Sequence, residues 1–93
     1  MAIKTERWDA AEFLNDEEDI RLYLEAAFED GEPAIIRAAL NDVARARGMT
    51  ALAKETGLSR EALYKALGEN GNPTLDTLVK LTRALGVRLS IAA

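Results

Sequence analysis

Apolar positions along this chain recur every three or four residues, and the runs are broken by short stretches of turn formers. That period predicts helices over most of its length. Around Asp9-Ala10-Ala11-Glu12, the spacing of a capping box predicts a short helix that carries Phe13 and Leu14, with Trp8 stapled back onto it. Asn15 or Asp16 caps the next helix, whose apolar stripe is Ile20, Tyr23, Leu24, Ala27 and Phe28 and which ends at Asp30-Gly31. Pro33 opens a third, with Ile36, Ala39, Leu40 and Val43 inward and Gly48 at its end. Thr74 caps the last, with Leu75, Leu78, Val79, Thr82 and Leu85 inward and Gly86 after it. The period then changes to two over Val87–Ala92, which predicts a strand. A lone strand leaves its backbone unpaired, so the expected partner is the same strand of a second chain in a two-fold dimer, with Ala2-Ile3-Lys4 as the alternative.

Between these lies Met49 to Leu67, MTALAKETGLSREALYKAL, which predicts two short helices about a tight turn. Thr50 is the expected N-cap of the first, which places Leu52, Ala53 and Thr56 on one face and stops at Gly57. Leu58 closes the corner. Ser59 caps the second, with Ala62, Leu63 and Leu67 as the apolar face and Arg60, Glu61, Tyr64 and Lys65 outward. The small Ala53 lets the helices cross closely. The spacing of Ala53, Gly57 and Leu63 is that of a helix-turn-helix whose second helix enters the major groove. It also fits an ordinary helical hairpin, and the stretch alone does not separate the two.

Charge changes the picture only when divided. Across 93 residues the formal net charge is −4, which argues against a nucleic-acid binder. Residues 1–32 hold three Lys/Arg against eleven Asp/Glu, and residues 33–93 hold nine against five, so the segments carry −8 and +4. The carboxylates at Asp16, Glu17, Glu18 and Asp19 crowd a helix start, where the dipole favours them; that is their first explanation, and docking of a basic partner is the second. Arg45 and Arg47 likewise suit the C-terminal end of their helix, with phosphate contact as the alternative. The chain lacks Cys and His, which removes disulfides, thiol nucleophiles and histidine bases and disfavours zinc. With no phosphate-cradling loop and no calcium-loop spacing, no enzyme, metal or cofactor is expected. The absence of cysteine, of a signal peptide and of a membrane-length apolar run leads to the expectation of a cytoplasmic protein.

Residues 33–86 resemble the Cro/lambda-repressor-like helix-turn-helix domains. The resemblance rests on Ala53, Gly57 and Leu63, then Gly71-Asn72-Pro73-Thr74-Leu75, Leu78-Val79-Lys80-Leu81 and Arg83-Ala84-Leu85-Gly86-Val87. A narrower one covers nearly the whole chain. Trp8-Asp9-Ala10-Ala11-Glu12-Phe13-Leu14, the acidic helix, Ala44-Arg45-Ala46-Arg47-Gly48-Met49 and Gly57 to Leu67 are similar to the addiction-module antidote proteins, the HigA-type antitoxins of type II toxin–antitoxin systems. The expected fold is an all-α, lambda-repressor-like bundle of five to six short helices with a short C-terminal strand, whose pairing across a dimer or with Ala2-Ile3-Lys4 stays open. The likeness implies a cytoplasmic protein that neutralises a small RelE/ParE-like toxin and represses its own operon.

Three segments follow: an acidic helical arm, 1–32, as candidate toxin binder; a DNA-binding domain, 33–86; and a C-terminal dimerisation strand, 87–93. Ser59, Arg60, Glu61, Tyr64 and Lys65 are the candidates for base reading on a pseudo-palindromic operator. Thr50, Lys54, Asn70 and Asn72 are the candidates for phosphate contact. Trp8, Phe13, Tyr23 and Phe28 would anchor a small basic toxin, and Val87, Leu89 and Ile91 would join two chains. The competing readings are a stand-alone, prophage-type regulator and, behind it, an interaction module without DNA binding.

Overall fold

The computed structural model describes residues 9–91. A 3₁₀ turn, Ala10–Phe13, leads into five helices: α1 (Glu17–Asp30), α2 (Pro33–Arg47), α3 (Met49–Thr56), α4 (Arg60–Leu67) and α5 (Leu75–Ala84). None of the described residues forms a strand, and no helix among them is long and apolar enough to cross a membrane.

Local chemistry sets most of the helix starts. Asp9 caps the 3₁₀ turn by accepting from the Ala11 N–H at 3.1 Å. Asp16 accepts from the Asp19 N–H at 2.8 Å, and Asp19 in turn accepts from the Asn15 N–H at 3.1 Å, so the acidic run satisfies the helix start. Ser59 accepts from Ala62 N–H and Thr74 from Thr77 N–H. Thr50 is not a cap. Gly48, with φ of 106°, ends α2 and begins α3 at once, which leaves Thr50 exposed in the first turn of α3.

One core joins all five helices: Ile20, Leu24 and Ala27 of α1, Ala39, Leu40, Val43 and Ala44 of α2, Met49 and Leu52 of α3, Leu63 and Leu67 of α4, and Leu81 of α5 with Leu85 after it. Leu52, Leu63 and Leu67 have no exposure, and full burial of such a side chain contributes about 1.5–3 kcal/mol. Tyr23 and Phe28 are half-buried beside the acidic helix's inner face.

Three assignments of apolar faces differ from expectation. On α5 the inward row is Leu78, Leu81, Thr82 and Leu85, whereas Leu75 is 74% and Val79 38% exposed. The true row has the same helical period, rotated by about one position. On α4, Ala62 faces outward and Ala66 packs on the core in its place. The predicted strand is absent: residues 87–91 lack regular structure, because no neighbouring strand among the described residues supplies a ladder. Val87 packs on the core while Leu89 and Ile91 stay exposed, so the three do not share one free face. Trp8, Ala2-Ile3-Lys4 and the end of the predicted strand at Ala92 lie outside the described residues.

Candidate nucleic-acid interface

The turn between α3 and α4 is built by two residues of different kinds. Gly57 adopts φ of 79° and donates its N–H to the Ala53 carbonyl at 2.9 Å, ending α3 in a conformation that a Cβ disfavours. Thr56 braces the corner. Its hydroxyl donates to the Leu52 carbonyl at 2.8 Å and accepts from the Leu58 N–H at 3.2 Å. Leu58 then packs on the core as expected.

From that corner α4 runs with Leu63 and Leu67 wholly buried and Arg60, Glu61, Tyr64 and Lys65 all exposed. The helix is held by one face and offers the other. Arg60 lies over the Tyr64 ring, 5.8 Å from its centroid, with Nη2 3.4 Å from the hydroxyl. A guanidinium stacked on an aromatic ring is partly preorganised for a planar, two-bond contact. Ser59 is exposed, and with one lone pair engaged by the Ala62 N–H its hydroxyl still offers its proton and a second lone pair.

Of the candidates for phosphate contact, Thr50 and Lys54 are exposed on α3, and Asn70 and Asn72 are exposed in the loop after α4. That loop turns at Gly71, whose N–H donates to the Gly68 carbonyl at 2.8 Å. A Cβ on Gly71 would overlap the Ala66 carbonyl and stand 2.6 Å from that of Lys65. The backbone therefore passes against the end of α4 at a distance only glycine allows.

Several cations of the basic portion are engaged inside the fold. Arg37 donates to the carbonyls of Leu67 at 3.1 Å and Gly68 at 2.8 Å, covering the C-terminal end of α4 from α2. Arg47 donates to the Ala84 carbonyl at 3.2 Å and pairs with Glu55 at 3.4 Å. Arg45 makes a two-bond pair with Asp9, at 2.9 and 3.0 Å, and meets Asp42 at 2.7 Å. Neither Arg45 nor Arg47 is thus a free phosphate ligand. Lys80 pairs with Asp76 on its own helix. Among the described residues Lys54, Lys65, Arg83 and Arg88 make no ion pair, and with Arg60 they carry the outward positive charge of residues 33–93. Sequence reasoning missed the structural roles of Arg37 and Thr56. The contact of Arg37 spans thirty residues and leaves no local signal.

The predicted partner residues divide. Phe13 is 55% exposed. Tyr23 is half-buried, and its hydroxyl donates to Asp42 at 2.6 Å; burial first, and that carboxylate second, push the phenol up to about 12. Arg45 and the Ala11 N–H hold Asp9 below its ordinary value. Leu22 and Ile35, exposed by nearly half, were not expected on this side of the molecule.

Two comparisons bear on the whole chain. Residues 4–93 match the profile of a family described as "probable addiction module antidote protein". An uncharacterized protein of Haemophilus influenzae is 42% identical over 91 residues, which cover 98% of this chain and 94% of that one. No solved structure matches. The match over residues 4–93 takes in nearly the whole chain, and the chain belongs to the family of addiction-module antidote proteins.

Proposed function

We propose that this protein is the antidote of a type II addiction module. It neutralises a small basic toxin, RelE/ParE-like by the resemblance, and represses its own operon as a DNA-binding homodimer. The single observation that carries the DNA-binding half is the division of α4, with Leu63 and Leu67 fully buried and Arg60, Glu61, Tyr64 and Lys65 on the outside. Such a helix is fixed in direction by its inner face and can set its outer face against base edges. Lys54, Asn70 and Asn72, exposed on the flanking elements, are suited to backbone phosphates, which position a reader and carry no sequence information.

Pairing of two chains would set their α4 helices about one DNA turn apart, roughly 34 Å, on a pseudo-palindromic site. The exposed apolar residues Leu75, Val79, Leu89 and Ile91 near the C-terminal end favour such pairing there. The surplus of carboxylates on α1 favours a cationic partner at that helix.

Fluorescence anisotropy with labelled duplex from the region upstream of the protein's own gene tests the proposal. Binding that exceeds binding to a scrambled duplex and weakens steeply with salt is expected. Equal affinity for both duplexes would reject operator recognition, leaving at most a non-specific binder.

A further inference from the structure

On the outer side of the α1–α2 pair an open groove of about 310 Å³ runs between the two helices. Tyr23 and Ile35 stand at its walls, and Ala26 and Ala38 are both exposed within it. Alanines here keep the floor low, so another helix can approach closely enough to seat large apolar side chains between α1 and α2. Ile35 is 46% exposed, and Leu22 on α1 is 49% exposed.

Charge identifies the occupant. α1 carries six carboxylates, Glu17, Glu18, Asp19, Glu25, Glu29 and Asp30, against Arg21 alone. Arg21 is already paired with Glu18 at 2.8 Å and Glu25 at 3.7 Å. The arginines of α2 do not compensate, since Arg37, Arg45 and Arg47 all have partners inside the fold. Asp30 itself lines the groove. A second copy of this chain would bring one acidic α1 against another, and DNA is a polyanion; like charges so placed disfavour both.

We propose that the α1–α2 groove is the docking site for an amphipathic helix of a basic protein partner, with an apolar row seated between Tyr23, Ala26, Ile35 and Ala38 and Lys or Arg on its flank facing Glu29 and Asp30. The inference rests on the antidote reading, since it identifies the surface by which the toxin is held.

The test uses the full chain and, as probe, the purified small protein encoded beside its gene. Ala26→Trp and Ala38→Trp each fill the groove, and Glu69→Ala, in the exposed loop after α4, serves as the control. The expected result is a loss of affinity of at least tenfold for both tryptophan variants, with Glu69→Ala unchanged and the helical circular dichroism of all three preserved. On the unaltered chain, amide NMR shifts on adding the probe should concentrate at residues 22–39, which holds even if a variant misfolds. Shifts confined elsewhere, or tight binding by both well-folded tryptophan variants, would overturn the groove while leaving the antidote reading standing. Failure of the unaltered chain to bind the probe at all would overturn that reading and the inference with it.

Discussion

Arg37 of α2 reaches across the molecule to the carbonyl of Gly68, 2.8 Å away, and to that of Leu67 beside it. One guanidinium therefore satisfies the carbonyls at the end of α4, where a helix leaves acceptors without intrahelical partners. Arg37→Ala removes charged hydrogen bonds worth about 1.5–3 kcal/mol, and urea unfolding should show a loss of that order. If α4 reads DNA as proposed, the variant should also bind DNA more weakly, because that helix loses its brace. An unchanged unfolding midpoint would mean that water replaces the guanidinium at no cost.

Gly71 is required for a different reason. A methyl group there meets the Ala66 carbonyl, so Gly71→Ala must displace either the loop or the end of α4, at a cost of about 1–3 kcal/mol. Gly57→Ala should cost about 1 kcal/mol, through its left-handed φ rather than through a clash, since nothing stands within 4 Å of the added carbon. Thermal unfolding of the two variants side by side would separate them, with Gly71→Ala the more damaged.

The contribution of Tyr23 has a pH signature. Its phenol, ordinarily at 10.0, is held up to about 12 in the folded chain, which keeps a proton that the unfolded chain has released. Its stabilisation is therefore complete below about pH 10 and declines as the pH rises through about 12. Asp9 has the opposite sign. Its carboxyl is depressed below 3.8, so its contribution holds above that value and is lost as the pH falls through the lowered one. Urea midpoints for the natural chain and Tyr23→Phe should show a steeper alkaline decline in the natural chain. Parallel declines would remove Tyr23 as the cause.

Arg60 and Tyr64 should behave as a unit on DNA, because the ring supports the guanidinium from 5.8 Å. Arg60→Ala is expected to cost about 1–3 kcal/mol on the operator and to relax preference at one base pair. Tyr64→Ala, which frees the guanidinium, should recover part of that loss pattern, whereas Lys65→Ala should weaken binding to all sequences alike and lower the salt slope. Titrations of operator and scrambled duplexes at two salt concentrations would check all three.

Much of the architecture was legible because it is written locally. The caps at Asp9, Ser59 and Thr74 and the stop at Gly57 depend on side chains within a few residues and stand where their spacing placed them, and of the two candidates before α1 it is Asp16, not Asn15, that caps. What depends on distant neighbours was not legible. The apolar row of α5 has one period but two plausible rotations, and only its packing decides that Leu81 goes in and Leu75 stays out. Alternation at Val87, Leu89 and Ile91 looks like a strand, yet a strand exists only with a partner. In the candidate site, the exposure of Arg60, Glu61, Tyr64 and Lys65 followed from helical period alone. The engagement of Arg37, Arg45 and Arg47 did not, and a charge count treats those arginines as available when the fold has already placed them against carbonyls and carboxylates.

On the proposed function, one small chain neutralises a toxin and reads DNA with separate surfaces. The direct measurement pairs, in one bacterial strain, growth under induction of the neighbouring toxin gene with a reporter driven by the operon's promoter. The double variant Arg60→Ala/Lys65→Ala should restore growth as fully as the natural chain while failing to repress the reporter. Loss of both activities in a folded double variant, or repression that survives it, would show that the two surfaces are not separate or that α4 does not read the operator.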